Sequence, residues 1–429
     1  MKEIALIPRF SSKNWYSFAP LLASLENTSI IQNLDICIPQ KWNDSILKNI
    51  ITKYNLIIFA YSFYTHETPK IFAELQHIKE KFSLSKLIFI AGGPHPSGNP
   101  QQTLRLGFDI VVKGEGERIF PELLDYLLKH RNLEDMNGIF YRENDRLCIS
   151  ESAPLLNLDE YPTFSQRFNL YPPIEITRGC PFGCKYCEVS YLFGRQIRHR
   201  GIETILKIVK AYQKIFAGKQ STDIRFISPN ALAYGSRDGR SPNYSKIVKL
   251  LQNIAKLDNI RIFFATFPSE TRPEFIKESI LREIVPYLSN KYIAFGAQSG
   301  SDAILQQIGR QHNVEDIRNA VTTILDVGLI PLVDFILGLP GEKIEDQYQT
   351  LDLIRELIQN KAEIRIHYFM PLAGTPFETA SPVPIDPTIL SELGRFAKKG
   401  YLQGNLDVQI KNSNQIVKFQ QFLEKEGFI

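Results

Sequence analysis

Three cysteines crowd into eight residues, Cys180-Pro181-Phe182-Gly183-Cys184-Lys185-Tyr186-Cys187, in a chain of 429 that has only five. Intervals of three and two residues let a compact loop turn all three sulfurs inward, with Pro181 and Gly183 supplying the turns. Thiolates favour zinc or iron, and three of them suit an iron–sulfur cubane, which takes four ligands and would keep one iron open. Structural zinc is the alternative, but it needs a fourth ligand, for which His199 or a remote cysteine stands as candidate. Cys37 and Cys148 read as small apolar residues in a core strand and a hairpin. An odd cysteine count, with three clustered, is not a disulfide framework, and Met1-Lys2-Glu3 runs straight into a strand-like segment. Both features point to the reducing cytoplasm.

The cysteine loop follows a strand candidate at 174–177, and the elements around it decide what it could serve. From 174 onward, strands at 174–177, 224–228, 262–266, 292–296, 332–337 and 364–369 alternate with amphipathic helices such as 204–216 and 345–359. Six such units are too few for the usual eight-unit barrel, so an incomplete barrel is expected, with its site at the carboxyl ends of the strands. Ahead of it, strands at 4–8, 34–38, 56–61, 87–91 and 110–112 alternate with helices such as 70–82, the pattern of a parallel sheet covered on both faces. The expected fold class is therefore α/β: an N-terminal Rossmann-like, doubly wound parallel sheet (1–130), a linker with a hairpin (131–171), a partial (βα)6 TIM-type barrel (172–385) and a short helical C-terminal region (386–429). Hydrophobic residues at 44% and charged residues at 22% exclude bulk disorder and coiled-coil architecture. Fifty basic against 46 acidic residues gives no reason to expect nucleic acid or a membrane as partner. No apolar run approaches the ~20 residues of a membrane span.

With an aromatic residue, Tyr186, ahead of the last cysteine, Cys180, Cys184 and Cys187 resemble the hallmark of the radical S-adenosylmethionine (radical SAM) superfamily. The resemblance, which covers about 172–382, implies a [4Fe-4S] cluster whose open iron is chelated by SAM, and cleavage of SAM to a 5'-deoxyadenosyl radical that abstracts hydrogen. It also implies an electron donor such as ferredoxin or flavodoxin. Where many members carry Gly-Gly-Glu to hold the SAM amino group, this chain has Ser228-Pro229-Asn230, whose side chains offer oxygens for the ammonium. Phe295 to Asp302, followed by Ile308-Gly309-Arg310, resembles the fourth-strand signature, which would turn Gln298 and Ser299 toward SAM; the alternative is a helix cap built from Ser301 or Asp302. Gly338-Leu339-Pro340-Gly341-Glu342 resembles the adenine-binding turn, and Ala373-Gly374-Thr375-Pro376 the exit loop after strand six. In Gly194 to Arg200, a basic stretch, Arg198 and Arg200 read as a solvated face, the alternative being that one arginine orients SAM or an anionic substrate.

The front unit resembles the cobalamin-binding domain of one radical SAM class. Tyr61-Ser62-Phe63, Ala91-Gly92-Gly93-Pro94-His95-Pro96 and Asp109 to Glu117 carry that likeness, which makes Ser62, Gly92, Gly93, His95, Gly114 and Glu115 candidate corrin contacts. A lower histidine of the Asp-x-His-x-x-Gly type is absent: the loop after the first strand reads Pro8-Arg9-Phe10-Ser11-Ser12-Lys13. His95 and His66 are the loop histidines near the crevice, and proline-flanked His95 reads as a turn residue. The expected function is a cobalamin-dependent methyltransferase acting on a substrate the sequence does not identify. The alternatives are a radical SAM enzyme without cobalamin (rearrangement, cyclisation or oxidation) and a non-catalytic iron–sulfur or electron-transfer protein. Sulfur insertion is disfavoured, because Cys37 and Cys148 are too few for a second cluster.

Overall fold

Alternation along the first strand, β1 (Ile4–Pro8), sends Leu6 to one face of a sheet and Ala5 and Ile7 to the other, and both faces are buried. The same holds for β3 (Leu56–Ser62) and β4 (Leu87–Gly92): Ile58 and Ile90 join the Leu6 cluster, while Phe59 and Phe89 join the opposite one, stacked at 5.0 Å. Burial on two sides is why these strands are continuous apolar runs. With β2 (Leu34–Ile36) and β5 (Ile110–Val112) they form a parallel sheet ordered β2-β1-β3-β4-β5, in which the order reverses between β1 and β3. Such a switch point opens a crevice at the carboxyl ends of its strands. The computed structural model describes residues 4–428 except 12, 40, 41, 83, 144 and 145; Ser12, in the loop after β1, thus lies outside the described residues.

The chain divides into two compact units, Met1–Pro172 with Leu372–Glu378 and Gln415–Ile429, and Pro173–Pro371 with Thr379–Asn414. This differs from the expected organisation in two places. The hairpin within 131–171 is part of the first sheet: β6 (Ile139–Glu143) pairs antiparallel with β5, and β7 (Arg146–Ile149) with β6. Ile139 and Tyr141 enter the core beside Ile119 and Leu123, so an apolar strand face holds the hairpin there. The C-terminal region is likewise divided, because the chain returns to the first unit after the barrel. There Ala373 N donates to Thr65 Oγ1 at 3.2 Å, Asn99 Nδ2 to Glu378 Oε1 at 2.8 Å, and Phe419 packs on Phe72 at 5.8 Å.

In the second unit, β8 (Ile174–Glu175) pairs with β11 (Thr222–Ile227), and β11 with β12 (Ile260–Phe263), all parallel. β13 (Tyr292–Gln298), β14 (Ile330–Leu337) and β15 (Glu363–Tyr368) continue in parallel, joined to the strip after β12 by a Thr271–Phe295 bridge. The outer side of β15 takes a short strand, β16 (Leu402–Gln403), instead of β8, so six parallel strands make an open, partial barrel. The segment expected as one strand at 174–177 is split. Its second half, β9 (Thr177–Arg178), pairs antiparallel with β10 (Arg198–His199) and pins both ends of the cysteine loop together. Among the described residues no helix is long and apolar enough to cross a membrane.

Candidate cluster and cofactor sites

Within the β9–β10 clamp, Cys180 N donates to Gly194 O at 3.2 Å, and Lys185 N to Ile308 O at 2.9 Å, so the loop is fixed at its base and its tip. Cys184 is buried; Cys180 and Cys187 are half-buried. Burial pushes the Cys187 thiol up to about 12, and neighbouring Cys184 and Cys180 add to it. Cys180 is raised by burial and by Cys184. The Cys180 and Cys187 thiols are thus raised by neighbouring sulfur as well as by burial, and a bound metal would favour their thiolate forms.

Two arginines compensate that charge. Arg272 and Arg310, each through Nη1, lie 3.9 Å from Cys184 Sγ. Arg310 Nη1 also donates to Tyr186 Oη at 3.4 Å and Nη2 to Gly296 O at 2.6 Å; the Arg272 guanidinium lies 3.7 Å over the Phe182 ring. Behind them, Arg272 Nε donates to Glu274 Oε1 at 2.5 Å, His312 Nδ1 sits 3.4 Å from Glu274 Oε2, and His312 Nε2 donates to Ala297 O at 3.1 Å. Burial raises Glu274, but His312, Arg272 and Arg310 outweigh it and hold the carboxyl at about 2. Burial and then Arg310 push His312 down to about 4. Arg272 Nη2 and Arg310 Nε are buried without a protein partner. Sequence reasoning missed this group: Arg310 stood inside a quoted signature without a role, and Arg272, Glu274 and His312 sit in no motif, reaching the site only through folding.

Three thiolates on one loop fit a cluster that keeps one iron open, and the histidine that could complete a zinc site is already engaged. Both His199 ring nitrogens are engaged, with Thr177 Oγ1 at 2.9 Å and Ser236 O at 2.8 Å. Among the described residues no three His, Cys, Asp or Glu side chains gather as a single ion requires.

The remaining barrel candidates divide. Tyr186 borders the cluster loop, its hydroxyl raised by burial despite Arg310. Gln298, at φ 75°, closes β13 at a register shift; its amide lies over Gly296, beside Arg310. Each of the expected oxygens for an ammonium already has one partner: Thr271 donates to Asn230 Oδ1 at 2.8 Å, and Ser228 Oγ meets Ser269 Oγ at 2.6 Å, which leaves a lone pair on each oxygen. Asn230 also keeps an unpartnered buried Nδ2, a donor. Ser299, just beyond the end of β13, faces the helix layer, Oγ 3.3 Å from Thr350 Oγ1; Ser301 supplies the helix cap. Arg200 is 2% exposed and donates to Glu175 O at 3.0 Å, so it is no solvated face, and Arg198 is half-buried, with Nη2 donating to Phe193 O at 3.3 Å.

At the first unit's strand ends, Ser62 and Gly92 are register partners on β3 and β4, and Gly93 follows at φ 87° and ψ −167°. A Cβ on Gly93 would strike Ser62 Oγ. His95 lies not in a turn but in a short helix, Pro94–Gly98. It is buried, stacked on Phe63 at 5.5 Å, with Nδ1 3.3 Å from Thr65 Oγ1 and Nε2 unpartnered; Ser62 Oγ is unpartnered too. Gly114 N donates to Ser97 Oγ at 2.9 Å, and Glu115 Oε2 accepts from Leu156 N at 2.8 Å, so Glu115 is committed to its own chain. Where a lower histidine would stand, Arg9 pairs with Glu74 at 2.6 Å and lies 4.1 Å over Trp42. His66 is held by Lys13 Nζ at 2.7 Å. A glycine-lined edge with two orphaned neutral polar groups fits a large, amide-fringed macrocycle.

Residues 174–354 match the family model described as the Radical SAM superfamily, and residues 19–124 the B12 binding domain. An uncharacterized methyltransferase of Pyrococcus horikoshii is 28% identical over 309 residues, 68% of this chain and 63% of that protein. A tRNA-2-methylthio-N(6)-dimethylallyladenosine synthase of Pelobacter propionicus is 24% identical over 261 residues, 58% of this chain and 56% of that one. The chain thus spans less than two thirds of the length of both curated relatives. Among solved structures, the radical S-adenosylmethionine methyltransferase TsrM of Kitasatospora setae, with cobalamin and a [4Fe-4S] cluster bound, shares the fold with a TM-score of 0.65 at 14% identity, covering 90% of this chain and 80% of that one. The cofactors that go with the two matched domains are a [4Fe-4S] cluster, SAM and cobalamin. The chain joins a B12-binding domain to a radical SAM domain.

Proposed function

We propose that the protein is a cobalamin-dependent radical SAM methyltransferase. The observation that carries this reading is the placement of its five cysteines. Cys180, Cys184 and Cys187 share one loop, while Cys37 follows β2 and Cys148 lies on β7, the two opposite edges of the first sheet. Strands ~4.8 Å apart put those edges on the order of 25–30 Å from each other. Cys37 and Cys148 therefore cannot share a second cluster, which argues against sulfur insertion and for methyl transfer. When bound, the cluster with SAM supplies a hydrogen-abstracting 5'-deoxyadenosyl radical, and the corrin supplies the methyl group.

In this reading Cys180, Cys184 and Cys187 hold the cluster while Arg272 and Arg310 offset its charge. Tyr186, Gln298 and the Asn230 amide border the SAM position. Gly92 and Gly93 let the corrin approach the backbone, and Ser62 Oγ and His95 Nε2 offer polar contacts to its fringe. The electron partner is a small low-potential carrier, ferredoxin or flavodoxin. The test is anaerobic reconstitution of the full chain with iron, sulfide and hydroxocobalamin, followed by SAM and reductant. The expected result is a brown chromophore lost in Cys184→Ala, a retained corrin spectrum, and release of both 5'-deoxyadenosine and S-adenosylhomocysteine under reductant. Failure to retain corrin, or 5'-deoxyadenosine without S-adenosylhomocysteine, would sink the methyltransferase reading.

A further inference from the structure

The three cysteine sulfurs are not equivalent. Cys180 and Cys187 receive backbone N–H groups, from Phe182 and Val189. Cys184 alone is met by two guanidinium groups in direct hydrogen-bond contact, Arg272 Nη1 and Arg310 Nη1, both at 3.9 Å. Each arginine is held from the far side, Arg272 by Glu274 at 2.5 Å and Arg310 by the Gly296 carbonyl at 2.6 Å. Glu274 is the carboxylate of this group, and it faces Arg272 and His312. A thiolate-bound cluster is anionic, and its negative charge grows by one when it takes an electron. Fixed positive charge and hydrogen bonds at a ligand sulfur favour that electron-rich state.

We propose that Arg272 and Arg310 set the reduction potential of the cluster through the Cys184 sulfur, raising it, and that Glu274 is the positioning residue that trims their effect. This rests on the cluster reading above. The step concerned is transfer of one electron from a low-potential donor to the cluster; no protein bond breaks and the arginines keep their protons throughout.

The experiment is a titration of the reconstituted full chain with dithionite, without SAM, followed by electron paramagnetic resonance. Arg272→Gln and Arg310→Gln should each lower the midpoint, so that the ratio of reduced to oxidised cluster at the wild-type midpoint falls about tenfold, or 59 mV for one electron. Glu274→Gln should move it upward, and Arg310→Lys, which keeps the charge, should return it toward wild type. Simple loosening of the site admits water and shifts all variants upward, so the opposite signs identify charge. Unchanged or raised midpoints in both arginine-to-glutamine variants overturn the proposal. So does a shift that appears only when SAM is added, since the arginines would then act on the nucleotide. If one glutamine variant fails to take up the cluster, the other decides, a lowered midpoint supporting the proposal and an unchanged or raised one overturning it. If neither takes it up, Glu274→Gln is set against Glu274→Asp, which keeps the charge; an upward shift in Glu274→Gln alone supports the proposal, while equal shifts or none overturn it. A wild-type chain with no brown chromophore refutes the cluster reading itself, a result distinct from a cluster whose potential ignores these residues.

Discussion

The two units place buried polar groups at the carboxyl ends of parallel strands, but in opposite electrical states. At the barrel end the groups are charged and close to sulfur: Arg272, Arg310 and Glu274. At the first sheet the unpartnered groups His95 Nε2 and Ser62 Oγ are neutral, while nearby Arg9 is paired with Glu74 at 2.6 Å and leaves only its Nη1 without a partner. Burying charge is costly unless it is paired. The barrel end is therefore organised around a charged guest, and the sheet edge around a neutral one held by shape and hydrogen bonds.

The sharpest way to break this comparison is to fill space at a glycine in each unit. Gly93 has φ 87° with ψ −167°, a region almost closed to other residues, costing on the order of 1–3 kcal/mol. Its new Cβ would also meet Ser62 Oγ and lie 3.2 Å from Phe63 N. Gly93→Ala should weaken hydroxocobalamin binding at least about tenfold, equivalent to about 1.4 kcal/mol, and leave the brown chromophore intact. Gly183, at φ 66° in the cysteine loop, would meet only the end of the exposed Arg195 side chain, 2.8 Å away, which can swing aside. Gly183→Ala, left with the left-handed backbone as its main strain, roughly 1 kcal/mol, should thus lower cluster content less than Gly93→Ala lowers corrin binding. Visible spectra and iron analysis of both variants read the two losses separately. Equal damage to both cofactors from either change would show that the units do not act as independent holders.

Local patterns in the sequence carried the parts whose chemistry is local. The cysteine loop and the buried strands β1, β3, β4, β13 and β14 were legible because spacing and apolar runs are written in consecutive residues. The β6–β7 hairpin reads as a connection in the sequence because antiparallel pairing to the three-residue β5 has no signature in the hairpin itself. Leu372–Glu378 joins the first unit through contacts more than 270 residues away in sequence, such as Asn99 with Glu378, which no periodicity encodes. The sequence pattern turns Ser299 and Gln298 one way together, but Gln298 ends β13 at φ 75° and a register shift, and Ser299 beyond it meets Thr350; a left-handed residue has no signature in a strand pattern. That Thr271 donates to the Asn230 oxygen is visible only once the 40 residues between them are folded.

A change of pH sharpens the comparison with a smaller effect. Burial pushes His95 down to about 4, only partly countered by Gln102. In the unfolded chain it would take up a proton near pH 6.5. The unfolded state then binds more protons as pH falls, so stability is full above about pH 6.5 and is lost as pH falls toward the folded value. Between about pH 7 and about pH 5 this one residue removes about 2 kcal/mol. Amide exchange in β3 and β4, corrected for intrinsic rates, should show that loss, and His95→Gln should flatten it while leaving exchange in β13 and β14 unchanged. A pH slope in β3 and β4 that survives in His95→Gln would mean the neutral, buried state of His95 is not what separates the two strand-end sites.

Ser299 and Gln298 give the smallest and most local test, because neighbouring residues of one strand end here have opposite surroundings. Ser299 Oγ accepts from Ser301 N at 3.1 Å and meets Thr350 Oγ1, which also accepts from Gly300 N at 2.9 Å. Removing that hydroxyl costs about 0.5–1.5 kcal/mol of stability, and nothing it touches borders the cluster loop. Ser299→Ala should therefore lower the melting temperature slightly and change SAM affinity of the cluster-loaded chain less than about twofold, under 0.5 kcal/mol. Gln298→Ala should do the reverse, weakening SAM with little effect on melting, because its amide lies beside Arg310 over the space that Gly296 leaves open. If Ser299→Ala weakened SAM as much as Gln298→Ala, the strand end would have to turn over on binding, and the helix-facing role of Ser299 would hold only for the SAM-free protein.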